Sequence, residues 1–174
     1  YGATKLIAEK YIQIFDQKYD LPTLIFRFCR IRDSKKEDVV TKFTRQVLNN
    51  EKIVFFDNGK QIFDFVDIND VIRADILGVT SKIRNEAINI SSGQGVSVNE
   101  ILRMIMEFAK KERVDLEYKK VDLKEFIPEH YFCPQKMILD VRKAKRLLNF
   151  SPKTAMADSI KATVLCFLKQ TKNG

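Results

Sequence analysis

Stretches with apolar residues at three- and four-residue spacing alternate with short apolar runs along the whole of this sequence, and that alternation restricts the fold to the α/β class. Residues 1–19 form the first helical stretch, in which Leu6, Ile7, Tyr11, Ile14 and Phe15 recur at helical spacing. Asp20-Leu21-Pro22 ends it, because proline biases the residue before it away from helical geometry. Residues 23–28 read as a buried strand. A polar stretch, 30–38, then leads to a helix over about 39–50 with Val40, Phe43, Val47 and Leu48 on one face. Residues 52–56 are a second short strand, and Asp57-Asn58-Gly59-Lys60 carries the Asn-Gly signal of a tight turn.

Residues 62–68 are expected to be extended, with Asn69-Asp70 capping a helix that runs to about residue 82. A strand over 87–90 is closed by Ser91-Ser92-Gly93-Gln94-Gly95. Ser97, followed three residues later by Glu100, is a capping box for a helix over 98–111. Residues 116–119 are a weaker strand, 122–135 a loop, 141–148 a helix begun by Asp140, and 157–168 a final helix. No internal repeat interrupts the series.

Composition supports an ordinary folded domain. With 174 residues, 45% hydrophobic and 31% charged, the chain is not disordered. No apolar run approaches the roughly 18 residues a membrane span needs, and nothing reads as a signal peptide, so a cytoplasmic protein is expected. Cys29, Cys133 and Cys166 are odd in number and far apart, which argues against a disulfide framework or a thiolate metal site. His130 is the single histidine, which argues against a His-based zinc site and a serine-type triad. No metal is expected. The net charge of +8 raises the question of nucleic acid. The densest basic groups, Lys35-Lys36, Lys110-Lys111, Lys119-Lys120 and the segment from Arg142 to Arg146, are interleaved with acidic and apolar residues. They read as solvated faces, so nucleic acid is not the expected partner, although the charge suits an anionic ligand.

Tyr1-Gly2-Ala3-Thr4-Lys5 is a Y-x-x-x-K, whose first and last side chains share one face of a helix. An ammonium held beside a phenol favours the phenolate by charge, so such a tyrosine can exchange a proton with a hydroxyl or ketone near neutral pH. The pair suits carbinol-to-carbonyl chemistry coupled to hydride transfer, though a Tyr and a Lys four apart also occur on ordinary amphipathic helices. Asp70 reads as a helix cap, Asn89 as a backbone-bonding residue at a strand end, and Asp64 and Asp67 as alternation along a strand.

Longer motifs follow in order. Tyr1, Gly2, Thr4, Lys5 and Glu9 are similar to Y-G-x-[ST]-K with a following acidic residue. Leu24 to Phe28 matches a strand bearing an arginine, here Arg27, and the segment from Gly59 to Asp70 resembles G-x-Q-x-R-D-F-V-x-V-x-D. The segment from Asn89 to Val98 resembles N-I-G-S-G-x-G-V-S-V, and the segment from Asp140 to Thr154 resembles D-x-x-K-A-K-x-L-L-G-W-x-P-K-T. Together they resemble the extended short-chain dehydrogenase/reductases, the family of NAD-dependent nucleotide-sugar epimerases, dehydratases and reductases.

The resemblance implies the C-terminal part of a Rossmann-type NAD(P)-binding fold plus a small α/β substrate-binding lobe. Residues 1–174 would form one fragment, with the catalytic helix and last Rossmann strands interleaved with that lobe. The N-terminal cofactor-binding half, with its glycine-rich turn and a Ser or Thr that pairs with the tyrosine, would be missing. The opening on Tyr1 inside a helical pattern points the same way. Tyr1 would be the acid/base and Lys5 its tuning partner and ribose ligand, while Phe28 and Cys29 would approach the nicotinamide of NAD or NADP. The substrate would be a nucleotide sugar, and the full-length protein a homodimer packed through the first helix. Two departures stand out: the substrate-facing Asn position carries Arg30, and the family's phosphate-gripping arginine is Phe63. Arg30 and Arg32 are the candidates to compensate. The alternative is a non-catalytic relative serving as an RNA-binding or assembly module; the intact Tyr1/Lys5 pair speaks against it.

Overall fold

The computed structural model describes residues 1–55, 59–112, 120–122 and 134–170. Helix α1 spans Gly2–Tyr19, followed by strands β1 (Leu24–Phe28) and β2 (Arg30–Arg32), helix α2 (Val39–Leu48) and strands β3 (Ile53–Phe55) and β4 (Ile62–Asp67). Helix α3 (Ile68–Thr80), β5 (Glu86–Ile90), β6 (Gly95–Ser97), α4 (Val98–Glu112), β7 (Lys120–Asp122), β8 (Lys136–Met137), α5 (Arg142–Leu148) and α6 (Met156–Gln170) complete the order. The fold is α/β, as the alternation predicts. Strands β2, β6 and β8 are too short to leave a periodic trace. The expected strand at 116–119, most of the expected loop at 122–135, His130 and Cys133 lie outside the described residues.

Strand β1 pairs in parallel with β5. Strand β4 takes β2 in parallel along residues 65–67, and β6 antiparallel and β8 parallel along its first half. Strand β3 pairs in parallel with β7. Two apolar clusters hold these sheets. Val40, Phe43 and Val47 of α2 meet Phe63 and Phe65 of β4, Ile101 and Ile105 of α4, and Ile160 and Val164 of α6. Ile88 and Ile90 of β5 pack with Ala74, Ala144, Leu148 and Phe150. Each such large side chain taken from water stabilises the fold by about 1.5–3 kcal/mol before entropy is counted.

Helix α2 reads VVTKFTRQVL, and β-branched residues are stiff, weak helix formers. Its formation therefore rests on its buried face and on a capping box. The Asp38 carboxylate accepts from the Val40 and Thr41 amides at 2.9 Å each, and the Asp38 amide donates to Thr41 Oγ1 at 2.7 Å. The Ser97/Glu100 box forms as expected, with Ser97 N donating to Glu100 Oε2 at 2.7 Å and Glu100 N to Ser97 Oγ at 3.2 Å.

Helix α1 forms where the periodicity places it. Its periodic apolar residues Leu6, Ile7, Tyr11, Ile14 and Phe15 are all exposed, and Asp16 is its buried residue. The helix turns a polar edge inward, where Glu9 meets Arg27 and Asp16 meets Arg84. No helix among the described residues is long and apolar enough to cross a membrane.

Candidate functional site

One residue, Cys29, separates β1 from β2, and the chain changes sheet there: Phe28 pairs with Ile90, and Arg30 with Phe65. The site therefore opens at the carboxyl end of a parallel strand where two sheets diverge, the usual position of a ligand crevice in α/β folds. Burial, followed by the Asp64 charge, pushes the Cys29 thiol up, so it stays a neutral, half-buried group.

Helix α1 forms the facing wall. Tyr1 is 94% exposed at its N-cap, and Lys5 lies one turn along with Nζ 5.4 Å from the Tyr1 ring centroid. A clamp fixes this wall against β1: Arg27 Nε donates to Glu9 Oε1 at 2.7 Å, and Nη2 donates to Oε2. The hydrogen bonds from Arg27 hold the Glu9 carboxyl below its ordinary range.

Between these walls lies a cleft of about 840 Å³, and Tyr1, Lys5, Phe28, Cys29 and Arg30 all line it. The structure thus brings these five residues expected from the sequence to one cavity. Arg30 is exposed, and its guanidinium carbon sits 3.9 Å over the centroid of the Phe63 ring. Arg32 behaves differently. It is fully buried, donating to Asp33 O at 2.7 Å, to Asp38 Oδ2 at 2.9 Å and to Thr163 Oγ1, and it does not line this cleft.

Two carboxylates that the sequence presented as strand alternation and helix cap instead tie distant segments of the chain together. Asp64 is buried and accepts from the Ser92 amide at 3.1 Å, the Ser92 hydroxyl, the Gly93 amide at 3.0 Å and the Leu139 amide at 3.2 Å. Gly93 has φ +72°, and a Cβ there would stand 2.8 Å from Val141 Cγ2, so the loop needs glycine. Asp70 is a correction. The α3 cap is Asp67, which accepts from the Asn69 amide at 3.0 Å, whereas Asp70 lies buried in the first turn. Asp70 binds the Lys153 and Thr154 amides at 3.0 Å each, together with Arg73. Partners so distant in sequence leave no local signal. Asn89 donates to Asp140 O at 3.2 Å, the backbone role expected of it.

A family model described as the NAD dependent epimerase/dehydratase family matches residues 1–91. A putative UDP-glucose 4-epimerase of Methanocaldococcus jannaschii is 29% identical over 169 residues, covering 94% of this chain and 52% of that protein. A UDP-glucuronate 4-epimerase of Thermodesulfobacterium geofontis is 28% identical over 171 residues, covering 94% of this chain and 49% of that one. Among solved structures, UDP-glucose 4-epimerase of Thermotoga maritima with UDP-glucose has a TM-score of 0.80 at 30% identity, covering 98% of this chain and 54% of its own. UDP-glucuronic acid 4-epimerase of Bacillus cereus, in complex with UDP-glucuronic acid and NAD, has a TM-score of 0.82 at 26% identity, covering 98% and 52%. The chain spans about half the length of the relatives it matches.

Proposed function

The chain belongs to the NAD dependent epimerase/dehydratase family, and from that premise we propose that it supplies the acid/base pair and the substrate face of an enzyme acting on a nucleotide sugar with NAD or NADP. The observation that carries this reading is the convergence of Tyr1, Lys5, Phe28, Cys29 and Arg30 on one cleft.

The cleft suits such a cofactor. The phenol of Tyr1 and the ammonium of Lys5 are donors with no carboxylate partner among the described residues. Phe28 and the neutral Cys29 offer an uncharged surface for a nicotinamide ring, and Lys5 would bond the ribose. Bound there, NAD(P) would supply hydride transfer at a sugar carbon. Tyr1 takes the proton of the substrate hydroxyl and later returns it, and Lys5 places a positive charge beside the ring. Arg30 faces the substrate. A glycine-rich turn for the pyrophosphate is not among these 174 residues, so the reading is of a chain that works with a cofactor-binding half.

The exposed apolar face of α1 supports a homodimer of the complete protein, because a contiguous patch of this kind marks an interaction surface. A cytoplasmic location suits the substrate class. Epimerisation, dehydration and reduction share the first proton and hydride step, and product analysis separates them. The test is Tyr1→Phe in the complete natural protein. Turnover of UDP-sugars is expected to vanish with NAD binding nearly unchanged, and wild-type turnover would overturn the reading.

A further inference from the structure

The cleft contains three described carboxylates, Glu9, Glu37 and Asp38, and each is already bound by an arginine. Glu9 holds Arg27, Glu37 holds Arg45 at 2.9 Å, and Asp38 holds Arg32 at 2.9 Å. That leaves Lys5, Arg30 and Lys36 as cleft cations with no carboxylate partner among the described residues. Lys5 stands beside Tyr1, and Lys36 offers a point charge rather than a planar fork. Arg30 alone combines an open guanidinium with a rigid seat, its guanidinium carbon 3.9 Å over the Phe63 ring centroid. Stacking on a ring leaves the guanidinium edge free, and the edge carries its donors. The ring is itself fixed, because Phe63 is only 4% exposed in the α2/α4/α6 core.

We propose that Arg30, held against Phe63, grips the anionic group of the substrate, a pair of oxygens on phosphate or on a sugar carboxylate. This rests on the nucleotide-sugar reading above. It assigns the anion contact to a stacked pair that replaces the arginine expected at position 63, and it leaves out Arg32, which does not line this cleft. A lost bidentate contact of this kind weakens binding about 10- to 100-fold.

The test measures calorimetric affinities of UDP-glucose, dTDP-glucose and UDP-glucuronate for the complete natural protein and its Arg30→Ala, Arg30→Lys and Phe63→Leu variants. NAD affinity and melting temperature serve as controls. Loss of affinity in Arg30→Ala for every sugar nucleotide the wild type binds assigns the contact to phosphate. Loss confined to UDP-glucuronate assigns it to the carboxylate. In either case Arg30→Lys recovers part of the affinity, Phe63→Leu loses part, and NAD affinity is unchanged. Wild-type affinity for all three in Arg30→Ala overturns the proposal and leaves the parent reading intact. A wild-type protein that binds NAD but none of the three overturns both.

Discussion

Arg27 and Glu9, 18 residues apart, meet in a two-pronged hydrogen bond that ties the helix carrying Tyr1 and Lys5 to the strand that ends at Phe28, next to Cys29. The Arg27 side chain is 51% exposed, so the pair's worth lies in geometry more than in stability. A double-mutant cycle with Glu9→Ala and Arg27→Ala should return a coupling of about 0.2–1 kcal/mol in urea unfolding. Turnover should suffer more, because a displacement of about 1 Å at a reacting centre costs on the order of 100-fold. A coupling above that range, or unaltered kcat, contradicts this account.

The same pair predicts a pH dependence. The Glu9 carboxyl titrates below its ordinary value of 4.5 in the folded chain, so its stabilisation is present above that value and is lost as pH falls through the folded value. Asp140, held at about 2 by Arg142, acts in the same direction. Urea midpoints of the wild type should therefore fall more steeply than those of Glu9→Gln between neutrality and pH 3. Parallel profiles would remove the linkage.

Asp64→Asn keeps the shape of the side chain but turns one acceptor into a donor facing amide donors. With partners on Ser92, Gly93 and Leu139, the loss should be about 2–4 kcal/mol by denaturant unfolding. A change below 1 kcal/mol would mean that the loops hold themselves.

Asp38→Ala removes both the α2 cap and the counter-charge of the fully buried Arg32. An uncompensated buried charge costs about 3–5 kcal/mol, so this variant should be among the least stable single substitutions in the chain. Its melting temperature, compared with that of Thr41→Ala, separates the charge from the cap.

Ile14→Glu places a charge on the exposed apolar face of α1. Sedimentation of the complete protein should shift from dimer to monomer, while its urea midpoint stays near the wild-type value. A dimer that survives Ile14→Glu and Tyr11→Glu together must use another face.

What was legible in the sequence was short-range. The order of helices and strands, the Ser97/Glu100 box and the Tyr1/Lys5 spacing each depend on residues within about one turn of one another, where periodicity and capping act. The convergence of Phe28, Cys29 and Arg30 with that pair was legible only through the ordered motifs, since nothing local brings strand and helix together.

The tertiary structure decided which polar side chains are buried and what they hold. Asp70 looked like a cap because its neighbours are those of a helix start, yet its partners at Lys153 and Thr154 lie 83 and 84 residues away. Arg30 and Arg32 looked equivalent because they stand two apart in one polar stretch. Folding sent one onto Phe63 in the cleft and the other to Thr163, 131 residues distant, inside the core. The apolar spacing of α1 fixed a helix but not which face turns inward. The sequence by itself thus determined local conformation and the presence of the chemical groups, because both follow from neighbouring residues. Burial and pairing depend on which distant segments arrive beside a group, and only the folded chain sets that.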